Sequence, residues 1–177
     1  LPITHLSPKW FWEDSGFEIY YNNFNLKAKR LLDLIFGMII GICVFPIMIL
    51  SAIIVKLESK GPVFFIQERI GEGNKKFNIV KFRSMTTDAE KDGPQWASKN
   101  DNRVTKWGKI MRATRIDELP QLWNVLRGEM SFVGPRPERE FFIQQLEKEI
   151  PYYNLRHTVK PGLTGWAQVK YPYGASI

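Results

Sequence analysis

LLDLIFGMIIGICVFPIMILSAIIV, Leu31 to Val55, carries a single charge, Asp33, in 25 residues. At about 1.5 Å per residue a straight helix of that length reaches roughly 37 Å, more than the roughly 30 Å hydrocarbon core of a bilayer requires. It does not read as a signal peptide, because 30 polar and aromatic residues precede it and no small-residue cleavage site follows. Basic residues stand on both sides, Lys27, Lys29 and Arg30 before it and Lys56 and Lys60 after, so the one-sided excess that orients a simple span is missing. Pro46 lies inside the run, where it removes a backbone donor and kinks a helix, and Gly37 and Gly41 permit close packing on one side. A helix that enters, bends at Pro46 and returns to the same face satisfies both basic flanks. A full span and a buried helix of a soluble domain stay open on these grounds.

Outside this run the chain is polar, and a mean hydropathy of −0.24 conceals the segment. A length of 177 residues suits one domain with a core of its own. With 44% hydrophobic and 24% charged residues, 13 Gly and 11 Pro, the composition excludes collagen, coiled coil and a disordered chain. The net charge of +7 points to acidic partners: phosphates, nucleic acid or an anionic membrane face. Cys43 is the one cysteine, which forbids an intrachain disulfide, and His5 and His157 are the two histidines, so no zinc set exists and any metal is oxygen-bound. The chain starts at Leu1 and stops at Ile177 just after an aromatic, Gly-containing stretch, and is read as a piece of a longer protein.

Pro62 to Ile70 and Phe77 to Met85 are rich in β-branched and aromatic residues and are separated by Gly71-Glu72-Gly73-Asn74, which predicts a β-hairpin. Thr86 to Asn102 shows little periodicity and reads as a mobile loop. Val104, Trp107 and Met111 share one helical face while Lys106, Lys109 and Arg112 occupy the other, an amphipathic basic helix suited to a core or, beside a membrane segment, to the interface. A further helix is predicted from Glu138 to Ile150, stopped by Pro151.

Arg112 to Pro137, RATRIDELPQLWNVLRGEMSFVGPRP, holds the densest chemistry. Asp117 suits the N-cap of a Leu119–Arg127 helix closed by Gly128, with Glu118 in its first turn; as a cap it would be purely structural. The company it keeps argues for more: Arg112 and Arg115 lie upstream, and Arg136 sits between Pro135 and Pro137. Phosphoryl transfer needs a nucleophile, a divalent metal to offset negative charge, and guanidinium groups that fork onto phosphate oxygens. A helix N-terminus and nearby arginines favour an ionised, nucleophilic carboxylate, and adjacent Asp and Glu offer hard oxygen ligands to Mg²⁺. Lys81 and Arg83, alternating on a strand, add candidate anion contacts, although a solvated strand edge explains them as well.

Several of these stretches occur in order in one known family. Lys29-Arg30 through Asp33 to Pro46, KFRSM (Lys81 to Met85), IDELPQLWNVLRGEMSFVGPRPE (Ile116 to Glu138) and RHTVKPGLTGWAQV (Arg156 to Val169) resemble the bacterial sugar transferases, monotopic phosphoglycosyl transferases of glycan assembly. The resemblance implies transfer of a sugar 1-phosphate from a UDP-sugar to undecaprenyl phosphate with release of UMP. It implies a place on the cytoplasmic face of the bacterial inner membrane, a re-entrant helix over residues 31–55, and Mg²⁺ dependence. It also implies an Asp-Glu pair falling on Asp117, the nucleophile that forms a phosphosugar-aspartate, and Glu118, which assists through metal binding or proton handling. Arg112 and Arg136 would hold phosphate. The expected fold is α/β: a small membrane-associated domain, residues 29–177, with a re-entrant helix, amphipathic interface helices and a short hairpin. Residues 1–28 form its lead-in, with Trp10, Phe11, Trp12, Tyr20 and Tyr21 suited to a membrane interface.

Two departures from the family pattern stand out. Phe45 precedes Pro46 where the family commonly has Ser, removing a hydroxyl that could satisfy a freed carbonyl. The chain also stops at Ile177, where family members usually continue, so its C-terminal end reads as truncated. Trp166 and Gln168 are expected to pack and orient a loop rather than touch substrate. The alternative function is a non-catalytic membrane-surface module that binds anionic lipid or a partner. Nucleic-acid binding has only the charge and aromatic content in its favour, with no recognised motif. The donor sugar, the glycan pathway and the oligomeric state, a homo-oligomer included, stay open.

Overall fold

A single helix, α1 (Asn23–Glu58), takes up 36 residues and overshoots the apolar run at both ends. The architecture comes from a computed structural model that describes residues 23–89, 91 and 101–170. The lead-in before residue 23 with its aromatic residues, most of the Thr86–Asn102 loop and residues 171–177 lie outside the described residues. The expected break at Pro46 is not seen as an end of the helix. The chain stays helical on both sides of it, because a helix can absorb one lost N–H bond as a local distortion while its apolar neighbours keep every other bond. The middle of α1 is bare, with Ile42 76% exposed.

The rest of the chain packs against the two ends of α1. Strands β1 (Phe64–Ile70) and β2 (Lys76–Phe82) form the expected antiparallel hairpin, pairing Phe64 with Phe82 and Ile70 with Lys76. Helix α2 (Lys106–Thr114) is capped by the Thr105 hydroxyl, which accepts from the Gly108 amide. A short 3₁₀ helix (Ile116–Gln121) leads into α3 (Leu122–Arg127), which ends at Gly128 in the left-handed region, φ 82°, as the sequence signalled. Strand β3 (Ser131–Val133) pairs in parallel with β4 (Gly162–Thr164), a second small sheet that no local pattern announced. Between them run α4 (Glu140–Glu149), inside the predicted 138–150 window, and a 3₁₀ helix (Tyr153–Thr158); α5 (Trp166–Lys170) follows β4. The description is therefore a mixed one, helices with two small sheets and one long apolar helix.

Two apolar clusters make the core. Val55 of α1, Phe82 of β2 and Met111 of α2 form one, flanked by Met48, Ala52, Trp107 and Ile116. Ile79, Val125 and Met130 form the other, flanked by Phe77 and Phe132. Asn124, 1% exposed, stitches α3 to the free edge of β2: its carbonyl accepts from Val80 N at 3.2 Å and its amide donates to Asn78 O at 2.7 Å. That bond set satisfies strand groups that would otherwise be buried without partners.

Polar collars fix both ends of α1 to this body. At the N-terminal end Asp33, 6% exposed, accepts from Ser131 Oγ at 3.0 Å and Phe132 N at 3.1 Å, and Lys29 pairs with it at 3.6 Å. Arg30 donates to the carbonyls of Val125 and Leu126, both at 2.6 Å, capping the C-terminus of α3. A Cβ on Gly37 would lie 2.9 Å from Leu126, so this glycine does mark close packing, whereas Gly41 faces open space. At the C-terminal end Glu58 accepts from the Trp107 amide at 3.0 Å, and Arg83 donates to the carbonyls of Ser59 and Lys60 at 2.8 and 3.0 Å.

Candidate active site

The site forms where the 3₁₀ helix crosses β2. Residues 77, 79 and 81 share one strand face; Phe77 and Ile79 pack into the second core cluster, and Lys81 continues the row onto Glu118. Lys81 Nζ lies 3.1 Å from Glu118 Oε1, Arg136 Nη2 lies 3.2 Å from the same oxygen and Arg115 Nη1 lies 3.7 Å from it. Three cations thus gather on one carboxylate oxygen. Burial works against ionising Glu118, but the charges of Lys81 and Arg136 outweigh it and hold the carboxyl below its usual range. Burial also lowers Lys81, with Glu118 opposing.

Asp117 is built differently. It is 8% exposed, and its Oδ1 is buried without a protein hydrogen-bond partner. The expected N-cap role is not realised: Asp117 lies within the 3₁₀ helix, whose N-cap is Arg115, and α3 begins after Gln121 with no side-chain cap. Burial pushes its carboxyl above the ordinary aspartate range, against the opposing charges of Lys81, Arg112 and Arg115, with Glu118 adding to the rise. An uncapped, unpartnered buried acceptor costs stability, so the fold carries this oxygen at a loss.

The remaining predicted residues divide. Arg112 is drawn inward, its Nε donating to Ser84 Oγ at 3.0 Å, and its charge acts on Asp117. Arg136 joins the pair directly. Arg83 goes elsewhere: one residue past the end of β2, it is 6% exposed and its bonds to Ser59 and Lys60 clasp the end of α1. Two more residues join the neighbourhood: Arg115, already noted upstream of the pair though given no role of its own, and Gln121, which was not singled out. Arg115, in the left-handed region at φ 61°, reaches Glu118; Gln121, 3% exposed, has a buried Nε2 without a protein partner on the same turn as Asp117. Arg115 stood beside the pair in the sequence; nothing in local pattern marks Gln121.

Known proteins share this arrangement of motifs. The pattern described as bacterial sugar transferase matches residues 24–176. The chain belongs to the bacterial sugar transferase family. Among its relatives, the UDP-N-acetylgalactosamine-undecaprenyl-phosphate N-acetylgalactosaminephosphotransferase of Aeromonas hydrophila is 51% identical over 148 residues, covering 83% of this chain and 35% of the relative. The UDP-glucose:undecaprenyl-phosphate glucose-1-phosphate transferase of Klebsiella pneumoniae is 48% identical over 153 residues, covering 86% of the chain and 33% of the relative. The exopolysaccharide production protein PSS of Rhizobium leguminosarum bv. phaseoli is 41% identical over 150 residues, covering 82% and 75%. The chain therefore spans about a third of the first two relatives and three quarters of the third.

The pair also has the makings of a magnesium site. Asp117 Oδ1 has no protein partner, and the cations around Glu118 converge on Oε1, so each residue keeps an oxygen outside the contacts just described. No cluster of three or more His, Cys, Asp or Glu suited to a metal occurs among the described residues. Two carboxylates are fewer than an octahedral Mg²⁺ requires, which fits an ion that takes its other ligands from water and substrate phosphates.

Proposed function

We propose that this sugar transferase moves a sugar 1-phosphate from a UDP-sugar to undecaprenyl phosphate, with Asp117 as the covalent nucleophile. The observation that carries the reading is the contrast inside the pair: Glu118 is clamped by three cations, and Asp117 keeps a buried, unpartnered oxygen beside it. In the first half-reaction an ionised carboxylate oxygen of Asp117 attacks the donor's β-phosphorus. The bond to the oxygen bridging to the α-phosphorus breaks, and UMP leaves with that electron pair. In the second half-reaction a phosphate oxygen of undecaprenyl phosphate attacks the same phosphorus, the acyl-phosphate bond breaks, and Asp117 is regenerated as a carboxylate. Arg136 and Arg112 hold phosphate oxygens by paired N–H bonds, and Lys81 adds charge while fixing Glu118. Mg²⁺ held by Asp117 and Glu118 would supply charge neutralisation to the diphosphate.

The membrane part of the reading places α1 in the inner membrane as a re-entrant element, with the body on the cytoplasmic face. Its support is a length argument. Gly37 lies against Leu126 and Met48 against the first core cluster, eleven residues or roughly 16 Å apart at 1.5 Å per residue, about half of a 30 Å hydrocarbon core. Both ends touching one polar body is hard to reconcile with a crossing between them.

The test separates half-reactions. The protein in nanodiscs, given a UDP-sugar and Mg²⁺ without acceptor, is expected to release UMP up to the amount of active enzyme and to gain the phosphosugar mass on Asp117. UMP release that begins only with undecaprenyl phosphate, and no adduct, would overturn the covalent reading.

A further inference from the structure

Beside the catalytic pair opens a cleft of about 550 Å³ whose walls include Pro135, Arg136, Tyr153, Arg156, Trp166 and Gln168. Arg136 is common to both places, since its Nη2 lies 3.2 Å from Glu118 while the residue also lines the cleft. Arg156 is fixed in advance of any ligand: it donates to the Tyr153 hydroxyl and the Arg136 carbonyl, and its guanidinium lies 4.7 Å from the Tyr153 ring centre. Trp166 does not pack as the sequence suggested. It is 75% exposed, with the Lys170 ammonium over its ring at 4.9 Å. Gln168 does orient the loop weakly, donating to Leu163 O at 3.4 Å, and this leaves its Oε1 buried in the wall without a protein partner. At Gly165 a Cβ would come 2.3 Å from the Gly134 carbonyl, so the wall there has to be bare backbone.

An accessible indole, two guanidinium groups and an unused carbonyl acceptor, with no carboxylate among the described residues of the walls, suit a molecule that combines a flat ring, an N–H donor and phosphate. We infer that this cleft receives the nucleotide half of the donor: the pyrimidine lies against Trp166, its N–H is offered to Gln168, and the diphosphate runs past Arg156 and Arg136 toward Asp117. The inference rests on the proposed reading of Asp117 and Glu118. The same cationic walls could attract the phosphate of the lipid acceptor, but a polyprenyl chain has no use for the indole, the amide acceptor or the charges.

The experiment is equilibrium binding to the full chain in nanodiscs, with UDP, inorganic pyrophosphate and undecaprenyl phosphate as separate probes, on wild type, Trp166→Ala and Arg156→Ala. Trp166→Ala is expected to weaken UDP at least tenfold while leaving pyrophosphate and undecaprenyl phosphate within twofold. Arg156→Ala is expected to weaken UDP and pyrophosphate alike. Trp166→Leu, which keeps bulk without an aromatic face, guards against a folding effect and should behave as the alanine does. Unchanged UDP affinity in both Trp166 variants would overturn the proposal, as would a matching loss of undecaprenyl phosphate affinity, which would make the cleft a lipid site. Catalysis is read separately. UDP binding that depends on Trp166, in a protein that releases no UMP, would sink the transferase reading and leave the cleft a nucleotide site; turnover with donor KM indifferent to Trp166 would do the reverse.

Discussion

Asp33 and Asp117 are both buried carboxylates in a small basic domain, and the surroundings of each say what it is for. Asp33 has a full set of partners in Ser131 Oγ, Phe132 N and Lys29, and it fastens the long helix to the β3–β4 sheet. Asp117 has an oxygen with no protein partner at all and a carboxyl that burial pushes upward. The first carboxylate spends its bonds on fastening the fold; the second keeps an oxygen that the fold does not use, which is the basis of the role proposed for it.

The comparison can be broken most forcefully at Asp117. Replacement by Asn keeps the shape and removes the charge, so turnover is expected to fall by at least about 10³-fold while the melting temperature holds or rises, because a carboxyl disfavoured by burial has been neutralised. A folded variant with full UMP turnover would return Asp117 to a structural role. Asp33→Ala should show the opposite profile. Losing a buried, bonded carboxylate and stranding Lys29 is expected to cost about 3 kcal/mol in denaturant or thermal unfolding, whereas the protein that remains folded keeps its donor KM. At Arg136 the charge alone can be preserved: Arg136→Lys loses the planar fork, and a deficit of about 2 kcal/mol in kcat/KM for the donor is expected, against near wild-type values if the residue only shapes its loop.

The smallest effect belongs to Asp101, far from either carboxylate in role. Arg103 beside it lowers its carboxyl to about 2. A depressed folded-state value means the stabilisation is present above the unfolded value near 3.9 and disappears as pH falls toward 2. Asp101→Asn should therefore lower stability by about 1 kcal/mol or less at pH 6, with the difference fading as pH falls through about 2, read from paired melts.

Local chemistry made much of this readable from the chain. The hairpin follows from two β-rich runs around Gly71-Glu72-Gly73-Asn74, and the end of α3 from Gly128, because turn and cap residues act within a few positions. Arg136 stood out between two prolines just after the pair and Lys81 only through strand alternation, and both meet at Glu118. What was hidden depends on distance in sequence. The β3–β4 pair joins two three-residue strands whose partners are far apart, Ser131 opposite Gly162. Arg83 was misplaced because strand alternation was extended one residue past the point where β2 ends, and Asp117 was read as a cap because a 3₁₀ turn and an α-helix begin with similar residues.

Arg30 has a further consequence for how the protein is made. Its partners, Val125 O and Leu126 O, lie 95 and 96 residues downstream, and those of Asp33 and Lys29 are about as remote. At roughly 5 to 20 residues per second, a ribosome needs about 5 to 20 seconds between finishing this stretch and finishing what fastens it. The apolar helix is thus complete, with Arg30 still unpartnered by α3, well before the residues that fasten it to the body exist. The collar at this end of α1 therefore closes late, once the chain from Val125 to Val133 has been made.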